Sequence, residues 1–451
     1  MRLGWRGLCL IIGILVLATI GLDAQFRFPY RLRIEPPAPP AGSGAAQWFV
    51  ATTGNDANLC TTSASPCLTM SGVHGKTIQA GDIVEFAAGT YAGMTWTKSG
   101  TSGSSITVRG SSGTCPTTVN SDAFSRGFRP DPAVTLTGGV VVNASDVTFS
   151  CFKMTDGQGF DVPDNSRRRL AFYDNYLDGT SAGDGFLISN NQATLASQLP
   201  DTVTISRNFV TEYSTCIHAI ANNLTVTDNE CLRMTGGETD HVHPYGDTHL
   251  YRNNYFHGNV HTDAPGAHAD CFQVFNLGGA NEALRYSRNI TIDRNTCMHF
   301  NEMIITSNST ANATLMDNWT VTNNIFAYPR LSGGGVGGGG FGQTTDVLFY
   351  HNTSFQASWG CGRGEALTQA TVTVKNNILD GTFGAQADCT LTISFNTQAS
   401  GAQFVSTVTP DFHLQATSPA INAGTTGLGV TTDRDDVTRD AQPDQGAYEF
   451  Q

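Results

Sequence analysis

Histidine and carboxylate side chains are interleaved between positions 238 and 273. The first part of this stretch reads Glu238-Thr-Asp-His-Val-His-Pro-Tyr-Gly-Asp247, and the second part, Gly266-Ala-His-Ala-Asp-Cys-Phe-Gln273, lies one repeat further on. Imidazoles exchange protons near neutral pH, whereas carboxylates orient such groups, attack carbon or hold cations. Turn formation does not call for so many histidines among carboxylates, so this stretch is the predicted functional site.

One reaction that suits these residues is β-elimination from a glycan that contains uronic acid. The proton beside a carboxylate is only weakly acidic, so the reaction needs a base and a group that neutralises the carboxylate. We expect His243 to be the base, with Tyr245 or Arg252 as the alternatives. His268 and Asp270 join the predicted catalytic set from the second part of the stretch.

The carboxylates of the same stretch allow two further roles. Glu238, Asp240 and Asp270 would together hold a Ca²⁺ ion, which prefers oxygen ligands and would offset the acidic surroundings. Alternatively, Asp240 and Asp270 would be the acid and the nucleophile or base of a glycoside hydrolase, with His243 assisting. A carboxylate-rich site with few lysines suits a neutral glycan better than a charged one.

Two more interpretations stay open. A transition-metal site would use His241, His243, His268 and Asp270, because His-x-His on a strand places both rings on one face. A non-catalytic adhesin would instead bind glycan along a groove lined with exposed aromatic side chains. The aromatic residues available for such a groove are Tyr213, Tyr245, Tyr251, Tyr255 and Trp359.

A repeated strand pattern must position these residues. Each copy alternates apolar and polar residues, which predicts a strand with one buried face, and each copy closes on an Asn that suits a left-handed bend. The copies are Leu170–Asn175, Val203–Asn208, Leu224–Asn229, Ile290–Asn295, Trp319–Asn324, Val347–Asn352, Val372–Asn377 and Leu391–Asn396. A ninth copy, Thr248–Asn253, keeps Leu250 as its inward residue. Coils of about twenty residues with irregular loops predict an all-β solenoid rather than a propeller.

A second strand follows each Asn, and these strands align the candidate residues in two columns. The first column contains Asp184, Thr215, Asp240, Asp270 and Glu302, and the second contains His218, His243 and Gln273. Parallel strands lie about 4.8 Å apart, so the carboxylates of Asp240 and Asp270 would be within roughly 5 to 6 Å of each other. A register error of one residue would turn these side chains to the other face.

Both ends of the repeat region resemble those of known proteins. Trp48–Ala57, Asp82–Tyr91 and Ser105–Arg109 resemble the opening coils of secreted proteins in the pectate-lyase-like superfamily. Asp411–Leu414, Ser418–Gly424 and Asp444–Phe450 look like the closing segment of bacterial surface-located β-helix proteins. The resemblance implies a single-stranded right-handed parallel β-helix. It also implies polysaccharide cleavage, with β-elimination ahead of hydrolysis, although the superfamily includes epimerases and adhesins.

The start of the chain predicts export. Residues 1–24 read as a signal peptide with a basic start and an apolar run, and residues 25–47 read as a Pro/Gly-rich linker. The β-helix domain would span 48–450, with 405–450 as its closing segment. We therefore expect a secreted or cell-surface protein, a monomer without a membrane span after cleavage of the signal.

Composition bears on partners and on cysteine chemistry. The formal charge is −13 with only 25 Lys plus Arg, so nucleic acid is a poor candidate partner and a polysaccharide is the expected one. Ten cysteines follow the apolar start, and an even set in an exported chain predicts disulfides. Cys60 and Cys67 flank a short loop and are the pair that the sequence predicts.

Overall fold

Each coil of the chain contributes one strand to each of three parallel faces, which together form a right-handed parallel β-helix. The computed structural model describes residues 44–111, 117–118, 129–163, 166–180, 183–189, 196–236, 239–259, 269–276, 286–308, 316–329, 338–362 and 369–451. Inward positions carry Val, Ile, Leu and Phe, and these side chains stack along the axis into one continuous core. The predicted fold class is confirmed.

The side sheet contains the strands that precede each repeated Asn and four earlier strands of the chain. Its strands are Trp48–Val50, Ile83–Phe86, Ile106–Gly110, Val147–Ser150, Arg168–Tyr173, Asp201–Ser206, the second half of Thr215–Thr227, the second half of Val242–Arg252, Ser287–Asp293, Met316–Thr322, Thr345–Tyr350, Ala370–Lys375 and Cys389–Ser394. Their apolar residues face inward, as in Leu170 opposite Val203 and Phe172 opposite Ile205.

A buried asparagine ladder follows the side sheet. Its members are Asn175, Asn208, Asn229, Asn254, Asn295, Asn324, Asn352, Asn377 and Asn396, and each Oδ1 from Asn208 onward accepts both the backbone N–H and the side-chain amide of the ladder residue before it. The left-handed conformation belongs to the residue that precedes each ladder Asn, such as Asp174 and Asp228, and not to the Asn itself. The predicted left-handed conformation is therefore wrong for the eight copies that close on a ladder Asn.

One coil departs by one residue from the predicted register. Asn254, and not Asn253, is the ladder residue, and His249 and Tyr251 are the buried inward residues while Leu250 points away from the core. His249 occupies an apolar position because its Nε2 lies 2.8 Å from the Ala221 carbonyl and its Nδ1 lies 3.2 Å from the Tyr251 hydroxyl. Because the inward residues His249 and Tyr251 are polar, the alternation of apolar and polar residues is not visible in this part of the sequence.

Short strands after each ladder position form the back sheet. They are Gly89–Ala92, Val134–Thr137, Lys153–Thr155, Tyr176–Asp178, Phe209–Thr211, Glu230–Leu232, Tyr255–His257, Thr296–Met298, Ile325–Ala327, Thr353–Phe355, Ile378–Leu379 and Thr397–Gln398. Phe404, Phe412 and Leu414 pack on the outward apolar residues of this sheet from Tyr255 onward. Arg434 adds hydrogen bonds to the Asn295 carbonyl and the Thr296 hydroxyl. That part of the back sheet is covered and is unsuited to a substrate.

The third face, the front sheet, carries the candidate residues. Its strands are Thr95–Trp96, Val140–Val142, Phe160–Val162, Asp184–Ile188, the first halves of Thr215–Thr227 and Val242–Arg252, Asp270–Asn276, Glu302–Asn308, Gly338–Phe341, Ser358–Cys361 and Phe383–Ala385. Thr215–Thr227 and Val242–Arg252 run without a break from the front sheet into the side sheet.

Smaller elements complete the described chain. They are the α-helix Met70–His74, the 3-10 helices Ala196–Gln198 and Gly401–Gln403, and two antiparallel pairs, Thr117–Thr118 with Arg129–Pro130 and Phe404–Ser406 with Asp411–Leu414. Met70 and Val73 of the α-helix are buried in the core. Across the described ranges, no helix is long and apolar enough to span a membrane.

Three of the four described disulfides join sheets inside the solenoid. The predicted pair Cys60–Cys67 is confirmed, and Cys216–Cys231, Cys271–Cys297 and Cys361–Cys389 are the other described pairs. Cys216 and Cys271 lie at the start of front-sheet strands, and Cys231 and Cys297 lie in back-sheet strands. These bonds therefore tie the strands that carry the candidate site to the core.

Candidate functional site

The two predicted columns exist in the front sheet. Thr215 pairs with Asp184, and Glu302 pairs with Asp270. His243 pairs with His218, and the pairing of Val242 with Phe272 places Gln273 next in the same column. Since apolar residues such as Ile217 and Val242 point into the core, His218 and His243 point outward.

His218, His243 and Tyr245 form one aromatic cluster on this face. The ring centroids of His218 and His243 are 5.1 Å apart, and the Tyr245 ring lies 6.1 Å from each of them. The side chain of His218 is 26 % exposed and that of His243 is 11 % exposed. Parts of both imidazoles therefore reach the outer surface of the front sheet, and the buried ring of Tyr245 lies beside them. Imidazole and phenol groups are both capable of proton transfer.

Asp240 and Asp270 lie beneath this surface, and each holds the coil that follows it. Asp240 Oδ1 accepts the backbone N–H of Asp270 at 2.8 Å, and Asp270 Oδ1 accepts that of Glu302 at 3.1 Å. Both residues are fully buried. The second oxygen of each carboxylate faces a side chain of the outward column. Asp240 Oδ2 lies 3.5 Å from His243 Nε2, and Asp270 Oδ2 accepts a hydrogen bond from Gln273 at 3.1 Å. This placement supports an orienting role for both carboxylates.

Asp184 occupies the same corner position two coils earlier and lies nearer to solvent. Its Oδ2 is 3.9 Å from His218 Nδ1, and its side chain is 17 % exposed. Burial raises the pKa of Asp184 to about 6, and the charge of Asp161 acts in the same direction, while a hydrogen bond from Thr215 opposes the shift. Neither Asp184 nor His218 was in the predicted catalytic set, although both were in the predicted columns.

His241 does not share a surface with His243. It precedes the strand, at the position that Cys216 and Cys271 occupy on the neighbouring coils, and its ring packs edge-on against Phe256 and Phe300. Burial lowers the pKa of His241 to about 3, and its Nε2 lies 3.1 Å from the Cys231 carbonyl. The expectation that the rings of His241 and His243 share one strand face is wrong, because strand alternation starts only at Val242.

Arg252 and the predicted groove aromatics lie away from the cluster. Arg252 ends the same long strand seven residues beyond Tyr245, in the side sheet, where its Nε lies 2.9 Å from Asp293 Oδ2. The aromatic side chains proposed for a glycan-binding groove are all buried: Tyr213, Tyr245, Tyr251, Tyr255 and Trp359. Their burial removes the aromatic support for the adhesin interpretation.

The predicted calcium site is only partly within the described residues. Glu238 and His268 lie outside them. Asp240 and Asp270 each use one oxygen for a backbone N–H and direct the other toward His243 or Gln273. In the described part of the chain, no group of three or more His, Cys, Asp or Glu side chains is arranged to hold a metal ion. The described residues alone do not fit Ca²⁺, which needs about six to eight oxygens.

A second ionisable cluster, absent from the sequence analysis, lies on the back sheet. Glu230 contacts Arg129 Nη2 at 2.7 Å and His257 Nε2 at 2.9 Å through Oε1. Burial alone would raise the pKa of Glu230, but the hydrogen bonds from His257 and Arg129 outweigh it and lower the pKa. Arg129 comes from an insertion 101 residues earlier, so no local pattern could reveal the cluster. Its groups satisfy one another, which indicates a structural clamp on the insertion.

Comparison with known proteins supports the fold. Pectate lyase Pel9A has a similar structure, with a TM-score of 0.53 and 16 % identity over 91 % of this chain and 98 % of that chain. XylC in complex with xylose has a TM-score of 0.47 at 10 % identity over 75 % of this chain and 76 % of that one. PfbA, a surface adhesin of Streptococcus pneumoniae, has a TM-score of 0.44 at 11 % identity over 69 % and 82 %. No protein-family model and no curated protein matches the chain.

Proposed function

We propose that this protein is a secreted carbohydrate-active enzyme that cleaves a polysaccharide by β-elimination at uronic acid residues. The observation that carries the proposal is the outward pair His218 and His243 on adjacent coils, with the buried Asp240 behind His243. An imidazole backed by a carboxylate is a general base suited to neutral pH. The fold shared with pectate lyase Pel9A is compatible with this chemistry and does not by itself establish it.

In the proposed reaction, His243 removes the proton beside the substrate carboxylate. Asp240 orients the ring of His243 and stabilises its protonated form. Gln273, next in the column and held by Asp270 Oδ2, lies where its amide would contact the substrate. The Ca²⁺ ion predicted at Glu238, Asp240 and Asp270 remains a prediction, and no step of this reaction depends on it.

Hydrolysis is the second candidate, and one observation favours it. Burial, with a smaller contribution from the charge of Asp161, raises the pKa of Asp184 to about 6, and a carboxyl group that is protonated near neutral pH suits the acid of a glycoside hydrolase. The originally predicted pair, Asp240 and Asp270, is less suitable because both carboxylates are fully buried and hold backbone N–H groups. A hydrolase here would therefore use the earlier coils.

The test is an assay of the purified protein against acidic and neutral polysaccharides, with added Ca²⁺ or with EDTA. Absorbance of unsaturated uronate and formation of reducing ends are followed in parallel for the wild type, His243→Gln and Gln398→Ala. Gln398→Ala is the control, because Gln398 is exposed on the back sheet. Both signals from the wild type and the control, and neither from His243→Gln, would support elimination. Reducing ends without absorbance would mean hydrolysis. Binding without cleavage on every substrate would contradict the enzyme proposal.

A further inference from the structure

His218 lies in the same outward column as the proposed base His243, yet the elimination described above gives His218 no role. It pairs with His243 across adjacent coils, with ring centroids 5.1 Å apart. It is also the more exposed of the two imidazoles, with 26 % of its side chain accessible against 11 % for His243. A substrate lying along the column would therefore contact both rings, because neighbouring coils present them side by side.

The two imidazoles have different carboxylates behind them. Asp240 lies behind His243 and is fully buried, with one oxygen committed to the Asp270 N–H. Asp184 lies 3.9 Å from His218 Nδ1, and burial together with Asp161 raises its pKa to about 6. The raised pKa of Asp184 brings this carboxyl group close to the ordinary imidazole range, so at this distance it can exchange a proton with His218.

The groups around His218 are consistent with a proton-donating role. Asp184 and, beyond it, Asp161 lie on the preceding coils, and His243 and Tyr245 lie on the following coil. In their ionised form these two carboxyl groups favour the protonated imidazole of His218. On the other side, His243 must be neutral to act as a base, and it then adds no repulsion.

We propose that the Asp184–His218 pair is the general acid of the elimination and protonates the glycosidic oxygen as it leaves. The inference rests on the proposed function. His243 takes the proton from C5, and the electron pair of that C–H bond forms the C4–C5 double bond. The C4–O4 bond breaks, its electron pair stays on O4, and O4 takes the proton of His218 to become the hydroxyl of a new reducing end. Transfer of one proton from His243 back to the Asp184–His218 pair restores the starting state.

This arrangement also selects a substrate class. Since both imidazoles approach from the same outward face, the C5 proton and O4 must lie on one face of the sugar ring, and the elimination is syn. Uronates with the D-glucuronate or D-mannuronate configuration meet that requirement. D-galacturonate and L-guluronate do not, because their C5 proton and O4 lie on opposite faces.

The experiment separates proton removal from bond cleavage. Glucuronan, polymannuronate, polygalacturonate and polyguluronate are each incubated in D₂O with the wild type, His218→Gln, His243→Gln and Tyr245→Phe. Cleavage is followed by absorbance of the unsaturated product, and exchange of the C5 proton is followed by NMR. Thermal melting and circular dichroism establish that each variant is folded.

We expect the wild type to cleave glucuronan or polymannuronate and not the other two polymers. His218→Gln should lose cleavage by about 10²- to 10⁴-fold, the usual contribution of a general acid, while still exchanging the C5 proton. His243→Gln should lose both activities. Asp184→Asn should show the same separation in weaker form.

Three results would overturn the inference and leave the proposed function intact. The first is cleavage of polygalacturonate or polyguluronate in preference to the other polymers. The second is undiminished cleavage, or lost exchange, in folded His218→Gln. The third is exchange without cleavage in Tyr245→Phe, which would make Tyr245 the acid. If the wild type neither cleaves any uronate polymer nor exchanges its C5 proton, the proposed function fails and the inference fails with it.

Discussion

The carboxylate of Asp240 connects the backbone of one coil to the side chain that faces solvent on its own coil. Oδ1 accepts the Asp270 N–H at 2.8 Å, and Oδ2 lies 3.5 Å from His243 Nε2. The same group therefore supports both the corner of the solenoid and the orientation of the proposed base. Substitutions at Asp240 and at its neighbour Asp270 can separate these two contributions.

Asp240→Asn should lower kcat while leaving the fold almost unchanged. The Asn side-chain oxygen can still accept the Asp270 N–H, but the variant loses the charge that stabilises protonated His243. We expect kcat to fall by about 10²- to 10⁴-fold with little change in KM. Tm should fall less than in Asp240→Ala, which also removes the acceptor of the Asp270 N–H. A Tm loss as large in Asp240→Asn as in Asp240→Ala would contradict the separation.

Asp270→Asn distinguishes elimination from hydrolysis by the originally predicted aspartate pair. The Glu302 N–H keeps an acceptor in this variant, and the Gln273 amide can reverse so that its oxygen accepts a hydrogen bond from the new amide nitrogen. Stability and elimination should therefore be largely retained. Asp270→Ala leaves the partly buried Glu302 N–H and the Gln273 amide without this acceptor and should destabilise the fold by about 1 to 3 kcal/mol. Loss of all activity in a fully stable Asp270→Asn would instead indicate that Asp270 takes part in bond cleavage.

Asn254→Ala should destabilise the solenoid more than Asn396→Ala. Asn254 accepts two hydrogen bonds from Asn229 and donates to Asn295 and to the Val226 carbonyl, all within the buried ladder. Asn396 ends the ladder in partly buried surroundings, where water can replace lost partners. Thermal melts of the two variants should show the larger decrease for Asn254→Ala. Equal decreases would mean that stacking within the ladder adds little.

Acidification should destabilise the fold through His249. Burial lowers the pKa of His249 to about 4, below the ordinary value of 6.5, so the unfolded chain binds a proton more readily than the folded one. The stability contributed by neutral His249 is therefore present above pH 6.5 and declines as the pH falls toward 4. His249→Leu, which matches the neighbouring inward Leu224 and Ile290, should make Tm less dependent on pH across that window.

Alkaline pH should weaken the closing segment through His413. Burial alone would lower the pKa of His413, but Asp411 at 2.5 Å and Asp435 at 2.9 Å outweigh it and raise the pKa to about 9. Because the folded pKa is raised, this stabilisation is complete below pH 6.5 and is lost as the pH rises through about 9. Wild-type Tm should fall over that range, and His413→Gln should remove the corresponding part of the decline. An unchanged slope in the variant would assign the decline to other groups.

The amino-acid sequence by itself determined the architecture and most of the site register. Strict alternation predicts one buried face per strand, and an Asn at the same position of every copy predicts that the copies stack. These two constraints predicted the coils and the columns that contain Asp184, His218, His243 and Asp270. They are local in sequence, and the period of two leaves little freedom in how the strands align.

Tertiary structure decided which members of those columns are buried and what they contact. Asp240 and Asp184 occupy equivalent corners, yet one holds a backbone N–H in the interior and the other lies beside His218 near the surface. His249 occupies an apolar inward position because a carbonyl of the preceding coil meets its ring. Arg129 reaches Glu230 across 101 residues. Burial and hydrogen-bond partners of this kind depend on groups brought together from distant parts of the chain, and local sequence patterns carry no information about them.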